Sequence, residues 1–399
     1  MLKLSFSKTF YERYRFKGKH CWCCKELSFG SLIRRSTVIL LVPKLSRKTT
    51  AQKRVIGMTR TIREEAMARL FSQHEFDVKT TLCIADLGCA SGPNTFTVVS
   101  ELILTSERIR QKLNRAQLEY QVYLNDLPGN DFNSVFMSLP KFHQKLIEQA
   151  GPALNGQCFV TGLPGSFYGR LLPCQSLQFV HSSYSLYWLS QLPEGTEGNE
   201  GNIYLSTKSP PSVVKAYTEQ FQKDIGVFLR SRSDELAKGG QMVLTYWGRN
   251  TEEPTCMGSD CVWGLFDTVL NQLVSEGVIE EERVESFNIP VYHPSSMEVT
   301  KEVEKQGSFF INAVENTQVS FDAQEDNGQN ITINGSKMEE KKGDPPSRLM
   351  RSVIESVLTC HFGSVVIDEI FQRYSNVVED VLSKQMILLT NVTISLTKK

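Results

Sequence analysis

Several kinds of segment are missing from this sequence, and each absence excludes a class of protein. No apolar stretch approaches the roughly 20 residues of a membrane-spanning helix, and the longest candidate, VILLV at 38–42, ends at Pro43. An excess of charge is also missing, because the formal net charge is zero, so no overall field attracts nucleic acid or a membrane surface. The ten cysteines show no spacing typical of a disulfide framework. Together these absences favour a globular protein of the reducing cytoplasm.

Three common site motifs are missing as well. The cysteines at 21–24 have no matching second pair at the spacing of a zinc site. Ser166 lies in a sequence without the GxSxG spacing, so the nearby His181 does not indicate a serine hydrolase. The turn with Gly88 and Gly92 lacks the GxGxxG spacing, which disfavours a pyrophosphate cradle. A nucleotide-like ligand without phosphates remains compatible with this turn.

From residue 51 onward, apolar runs alternate with helix-like segments, which predicts a doubly wound α/β domain. The helical pattern that starts at Val213 is expected to end at Gly239 and Gly240, because glycine commonly terminates helices. The polar stretch at 322–346 is predicted to be a flexible surface loop. The predicted strands are LCIADLG (82–88), YQVYLND (120–126), CFVTGLP (158–164), LQFVHSS (177–183), QMVLTYW (241–247), and segments at 307–313 and 387–396.

The first fifty residues differ from the rest. They contain about a dozen Lys and Arg residues but only Glu12 and Glu26 as acids, with no clear helical or strand period. Three interpretations compete: an organelle transit segment, a mobile arm, or a misassigned translation start. We therefore divide the chain into an atypical basic segment at 1–50, disordered or misassigned, and one enzyme-sized domain at 51–399.

Four of the predicted strands end in distinctive clusters, at 86–89, 125–129, 164–169 and 181–188. In an open parallel sheet, ligands bind beyond the carboxyl ends of the strands. A carboxylate in the second cluster can accept both hydroxyls of a ribose, and aromatic rings in the fourth can form the wall of a small-molecule site. An acid at a strand end is more commonly a turn former, and clustered aromatic rings more commonly form core. The coincidence of all four clusters favours a binding site.

These segments together resemble the plant SABATH methyltransferases, from about Gln52 to the C-terminus. Family members transfer a methyl group from S-adenosylmethionine to the carboxylate of salicylate, benzoate, jasmonate or related acids, or to a ring nitrogen of xanthine alkaloids. The resemblance implies a Rossmann-like class I methyltransferase core with an α-helical cap, and a homodimer. The motifs that carry it are DLGCASGPNT, VYLNDLPGNDFNSVF, FVTGLPGSFYGRLLP, HSSYSLYWLSQLPEG, EGNIYLS and ESFNIPVY.

Carried over by position, the resemblance implies three groups of residues. The expected cofactor contacts are Asp86, Cys89, Asn94, Asp126, Leu127, Ser166 and Phe167. The expected acceptor contacts are Gln52, Tyr184, Tyr187, Trp188, Val262, Trp263, Met350 and Val353. The magnesium site of some family members matches Asn199, Glu285, Phe287 and Asn288, of which Glu285 stands where the family usually has Asp. A solvated loop is the alternative interpretation of this last group.

The chemistry implied by the resemblance needs no catalytic side chain. A carboxylate acceptor is already ionised at neutral pH, since model carboxyl groups titrate near 4. Holding the reactants in line and excluding water is then sufficient, because proximity and orientation supply about 7–11 kcal/mol. We therefore expect catalysis by proximity and a methyl ester as product, in plant secondary metabolism.

The match fails before Gln52, where the family has a glycine-rich segment with a tyrosine that folds over the cofactor. Here Leu45 stands at the position of that tyrosine. The loss favours a misassigned start, and it predicts weak cofactor retention and slow turnover for the chain as written. Three functions remain open: a carboxyl methyltransferase, a purine-alkaloid N-methyltransferase, and a catalytically weakened relative that binds ligand without turnover.

Overall fold

The computed structural model describes residues 50–72, 81–92, 94–154, 156–255, 259–321 and 346–399. Side chains at 50–53, 153 and 259–261 are not part of that description. The predicted basic segment therefore lies outside the described residues except for Thr50, and the predicted loop at 322–346 does so except for Pro346, which begins a helix.

The strands alternate with helices along the chain, as the apolar runs predict. The strands are β1 Thr81–Leu87, β2 Glu119–Asp126, β3 Cys158–Pro164, β4 Leu177–Ser183, β5 Leu236–Gly248, β6 Phe309–Ser320 and β7 Leu388–Lys398. The helices are α1 Thr50–Met58, α2 Arg60–Ser72, α3 Thr95–Lys112, α4 Phe132–Met137, α5 Leu139–Ala150, α6 Pro211–Glu235, α7 Ser259–Ser275, α8 Glu281–Glu285, α9 Ser296–Gln306, α10 Pro346–Phe362 and α11 Ile367–Lys384.

The strands form one seven-stranded sheet in the order β3-β2-β1-β4-β5-β7-β6. The pairs from β3 to β5 are parallel, and β7 pairs antiparallel with both β5 and β6. The strand order reverses between β1 and β4, which is the position where ligands bind in open α/β sheets. The mostly parallel, doubly wound sheet that the sequence predicts is confirmed.

The predicted end of the helix after Val213 is wrong. Helix α6 ends at Glu235, and Gly239 and Gly240 lie inside β5. A Cβ atom on Gly240 would lie 2.8 Å from the carbonyl oxygen of Ala237, so the glycine is required by a close backbone approach within the strand. The register between β4 and β5 shifts at the same place.

Three apolar clusters build the core. One joins α2, α3 and α5 to β1 and β2, and a second joins α6 and α9 to β4, β5 and β7. The third contains side chains of α7, α10 and α11 and forms the helical cap. Full burial of each large apolar side chain contributes roughly 1.5–3 kcal/mol to stability. Within the described ranges, no helix has the length and apolar character that crossing a bilayer requires.

Candidate active site

The turn after β1 is held in a strained but well-anchored conformation. Gly88 and Ala90 both have positive φ angles, of 80° and 53°. The amides of Gly88 and Cys89 each donate to the carbonyl oxygen of Asn125 at 2.9 Å. A Cβ atom on Gly88 would lie 1.9 Å from the hydroxyl oxygen of Ser185, which follows β4. Only glycine therefore lets this turn approach the end of β4 so closely.

Asp126 ends β2, and both of its carboxylate oxygens are held by backbone amides. One oxygen accepts from Ala90 N at 2.8 Å, and the other accepts from Leu127 N at 2.8 Å. The residue is 8 % exposed. Burial raises the pKa of Asp126 and the charge of Asp86 raises it further, while the two amide bonds oppose the shift. Each carboxylate oxygen has a second acceptor site free of these amides, so the group is oriented for two further donors.

Asp86 near the end of β1 is paired with His181 of β4. The distance between His181 Nδ1 and Asp86 Oδ1 is 2.7 Å, and both side chains are buried. The parallel register places the two residues opposite each other, so this pair fixes the Asp86 carboxylate. Sequence reasoning placed His181 in the fourth strand-end cluster and beside Ser166, but did not find this contact.

Cys89 is buried in the same turn. Burial and the negative charges of Asp126 and Asp86 raise the pKa of its thiol well above the ordinary value. The thiol is therefore protonated at neutral pH and does not act as a nucleophile. Asn94 stands directly before α3, where its carbonyl oxygen accepts from Thr97 N.

The loop after β3 is anchored by a buried ion pair at the C-terminal end of α6. Arg232 donates to the carbonyl oxygens of Phe167 at 3.0 Å and Gly169 at 2.8 Å. The carboxylate of Glu235 binds the same guanidinium at 2.8 and 2.9 Å. Ser166 is exposed at the tip of this loop, and Phe167 is half-buried with its ring edge against Phe228. These contacts set the position of both loop residues.

The strand ends therefore bring all seven expected cofactor residues to one edge of the sheet, along β3, β2 and β1. Asn125 ties two of these ends together, because its side-chain amide donates to the carbonyl oxygens of Leu163 and Gly165. This residue was not singled out from the sequence. Its only signal is its place directly before Asp126.

The expected acceptor residues gather in the third apolar cluster. Tyr184 has a φ angle of 58°, and its hydroxyl donates to the side-chain oxygen of Asn391 on β7. Tyr187 and Trp188 are buried with ring centroids 5.7 Å apart. The same cluster contains Val262, Trp263, Met350 and Val353. Gln52 belongs to α1, and its side chain lies outside the described residues.

A buried histidine lies among these aromatic rings. Trp263 Nε1 donates to His293 Nε2 at 2.9 Å, and His293 Nδ1 lies 3.0 Å from the carbonyl oxygen of Trp247. The imidazole stacks against Tyr187 with ring centroids 5.6 Å apart and 20° between the planes. Burial lowers the pKa of His293 to about 4, and the charge of Arg249 also lowers it. Sequence reasoning did not find His293, because it belongs to no motif.

Two of the four expected magnesium residues, Asn199 and Asn288, are bonded to each other and to neighbouring groups. Asn199 donates to Asn288 Oδ1 at 2.8 Å, and its own oxygen accepts from the hydroxyl of Ser209 at 2.7 Å. Glu285 is exposed. In the described part of the chain, no group of three or more His, Cys, Asp or Glu side chains is arranged to hold a metal ion. The amide oxygens of Asn199 and Asn288 thus accept hydrogen bonds from protein groups, and the magnesium site at Asn199, Glu285, Phe287 and Asn288 stays a prediction.

Comparisons with known proteins point to one family. The family model described as SAM dependent carboxyl methyltransferase matches residues 45–399. The S-adenosyl-L-methionine:benzoic acid/salicylic acid carboxyl methyltransferase 1 of Petunia hybrida is 47% identical over 347 residues, covering 87% of this chain and 93% of that protein. The salicylate carboxymethyltransferase of Clarkia breweri is 46% identical over 349 residues, with the same coverage.

A solved structure agrees with these matches. Loganic acid methyltransferase with S-adenosylhomocysteine has 31% sequence identity and a TM-score of 0.72, covering 87% of this chain and 94% of that chain. The family model's match at 45–399 includes every residue of the sheet edge and of the helical cap. The chain belongs to the SABATH family of S-adenosylmethionine-dependent carboxyl methyltransferases.

Proposed function

We propose that this enzyme methylates the carboxylate of a flat aromatic acid of the benzoate and salicylate type and releases the methyl ester. The observation that carries the proposal is the aromatic cluster directly after β4, next to the strand ends with Asp86 and Asp126. Tyr187, Trp188 and Trp263 all belong to the third apolar cluster. Such a surrounding favours a planar ring. The relatives from Petunia and Clarkia, which are named for these acids, support the same choice.

The strand ends are proposed to hold S-adenosylmethionine, which supplies an activated methyl group on its sulfonium. The Asp126 carboxylate, oriented by Ala90 and Leu127, accepts the ribose hydroxyls. Leu127 and Phe167 pack against the adenine with Ser166 beside it. The Asp86, Cys89 and Asn94 side chains surround the methionine part. The buried thiol of Cys89 adds bulk rather than chemistry, because it stays protonated.

The acceptor needs no general base from the protein. An aromatic carboxylate is ionised at neutral pH, so one of its oxygens is already the nucleophile. Burial raises the pKa of the Tyr184 and Tyr187 phenols, so both stay protonated and can donate hydrogen bonds but not remove protons. We assign the Trp188 indole and the Gln52 amide to the acid's oxygens. The apolar walls exclude water, and alignment supplies about 7–11 kcal/mol.

We assign no magnesium ion to the reaction. The amide oxygens of Asn199 and Asn288 are engaged in hydrogen bonds, and this group lies outside the set of residues assigned to either ligand. We further propose a homodimer in the cytoplasm. Light scattering on the purified protein tests the assembly, and a fluorescent fusion of the full chain tests the location.

The experiment that tests the proposed function is a substrate panel with methyl-labelled S-adenosylmethionine. Salicylate, benzoate, jasmonate, indole-acetate and theobromine are compared by kcat/KM, and binding of S-adenosylhomocysteine is measured on the same protein. We expect the highest kcat/KM for salicylate or benzoate. Preference for theobromine would identify an N-methyltransferase instead. Tight cofactor binding without transfer to any acceptor would identify a weakened relative.

A further inference from the structure

His293 connects three elements around the aromatic cluster. Its two ring nitrogens contact Trp263 on α7 and the carbonyl oxygen of Trp247 on β5, and its face lies on Tyr187, which follows β4. The residue is 7% exposed. Its own carbonyl oxygen accepts from the guanidinium of Arg249, so the backbone is anchored as well. Trp247 also contacts the rings of both Tyr187 and Trp263, and His293 adds to these ring contacts a hydrogen bond to the Trp263 indole.

The hydrogen bonds specify one form of this imidazole. An indole N–H can only donate, and a carbonyl oxygen can only accept. His293 must therefore accept at Nε2 from Trp263 and donate from Nδ1 to Trp247. Only the neutral ring with its proton on Nδ1 satisfies both partners, and burial among aromatic rings favours the neutral form. A neutral, singly oriented ring is a rigid support.

The two expected acceptor-site rings that meet at His293, those of Tyr187 and Trp263, are nearly parallel to the imidazole, whereas the Trp247 ring is tilted from it by 51°. The planes of Tyr187 and His293 differ by 20°, those of Trp263 and His293 by 27°, and those of Trp247 and Trp263 by 24°. Near-parallel flat walls suit a planar ligand better than a flexible chain, whose atoms extend out of one plane. Any tilt of Trp263 or Tyr187 would remove that advantage.

We propose that His293 is a positioning residue that makes the acceptor site selective for flat aromatic acids over flexible aliphatic ones, by fixing Trp263 through its indole N–H and Tyr187 through ring stacking. This inference rests on the proposed function and adds to it the residue that sets acceptor preference. His293 does not touch the reacting atoms. Its substitution is therefore expected to change acceptor KM and to leave cofactor binding unchanged.

The test uses two matched substitutions in the full chain. His293→Phe keeps a flat ring against Tyr187 but removes both hydrogen bonds, whereas His293→Gln keeps one donor and one acceptor without the ring. KM for benzoate and for jasmonate, kcat, and the Kd of S-adenosylhomocysteine are measured for each. We expect His293→Phe to raise the benzoate KM at least tenfold and the jasmonate KM less than threefold, with the Kd unchanged. We expect the benzoate KM of His293→Gln to be much closer to the wild-type value than that of His293→Phe.

Further outcomes separate this inference from the proposed function. If the ratio of the benzoate KM to the jasmonate KM is unchanged in His293→Phe, whether or not both values rise, the inference is overturned while the function stands. If the wild-type protein methylates no acid, the proposed function fails, and benzoate Kd on protein saturated with S-adenosylhomocysteine replaces KM. The same tenfold loss is then expected, and an unchanged Kd or no benzoate binding overturns the inference.

A second variant guards against failure of His293→Phe to fold. Trp263→Phe removes the indole donor to His293 together with one of the two fused rings, and leaves a single aromatic ring in place. It is expected to lower the preference for benzoate over jasmonate in the same direction. A preference equal to that of the wild type would contradict the positioning role.

Discussion

Replacing Arg232 by methionine should detach the loop that carries Ser166 and Phe167. The guanidinium donates to the carbonyl oxygens of Phe167 and Gly169 and to the carboxylate of Glu235. Both charged side chains are almost completely buried, with 0% and 1% exposure. No water is available to replace the lost donors, so the substitution acts on the loop and on the buried carboxylate together.

The magnitude follows from the burial. Removing one partner of a buried ion pair typically costs about 3–5 kcal/mol, because the other charge remains buried without compensation. We expect Arg232→Met to lower the free energy of unfolding by that amount. The double variant Arg232→Met/Glu235→Leu leaves no buried charge, so its loss of stability should be smaller. It also removes the acceptor for the amides of Leu171 and Leu172, so the loop remains unanchored.

The two variants therefore separate stability from ligand binding. Urea unfolding followed by circular dichroism gives the stability, and calorimetry gives the Kd of S-adenosylhomocysteine. The double variant should bind at least tenfold more weakly although it is folded. The control is Lys215→Met on the same helix, since Lys215 lies 3.8 Å from Glu219 with 73% of its side chain exposed. Exposed pairs contribute about 0–1 kcal/mol.

A single variant that loses less than 1 kcal/mol would show that the pair is not buried as described. A folded double variant with the wild-type Kd would refute the claim that α6 positions the adenine loop.

Three further predictions concern single residues. Gly88→Ala should abolish binding of S-adenosylhomocysteine in calorimetry, because the added Cβ would overlap Ser185. The control Gly277→Ala has a similar φ of 72°, but its added Cβ would have no atom within 4 Å, so it should cost only about 1 kcal/mol of backbone strain. As pH drops from 7 to 4, the free energy of unfolding should fall by about 3 kcal/mol more in the wild type than in His293→Gln. The reason is that the imidazole takes up a proton near pH 6.5 when unfolded but only near pH 4 when folded. Equal pH dependence of the two proteins would contradict this. Affinity for S-adenosylhomocysteine should fall as pH is lowered through the raised pKa of Asp126, because the ribose needs the charged carboxylate, and this dependence should be absent in Asp126→Asn.

Much of the sheet was predictable from the sequence for a physical reason. The inner parallel strands β1 and β4 are mostly buried and the edge strand β3 is only partly buried, but all three appear as short apolar runs bounded by glycine, proline or polar turns. The predicted bounds of β3 and β4 agree with the structure at every residue. The end of α6 was not predictable, because Gly239 and Gly240 resemble a helix terminus, whereas Gly240 is required by a close backbone approach inside β5.

The residues of the candidate site likewise include some that the sequence predicts and some that it does not. Residues in contiguous strand-end motifs, such as Asp86 and Asp126, were found from the sequence because topology alone brings strand ends together. His293 was not found, because it contacts Trp247 and Trp263 across 46 and 30 positions of sequence. An isolated histidine with such distant partners leaves no local pattern. The anchoring role of Arg232 was missed for the same reason.

The central claim is that the edge formed by β3, β2 and β1 binds the adenosyl cofactor through Asp126. The most direct test is the calorimetric Kd of S-adenosylhomocysteine for Asp126→Ala, with Asp131→Ala, a half-buried acid that caps α4, as the control. Bonds to charged groups contribute about 1.5–3 kcal/mol, so we expect at least tenfold weaker binding for Asp126→Ala and no change for the control. A folded Asp126→Ala protein with the wild-type Kd would contradict the account.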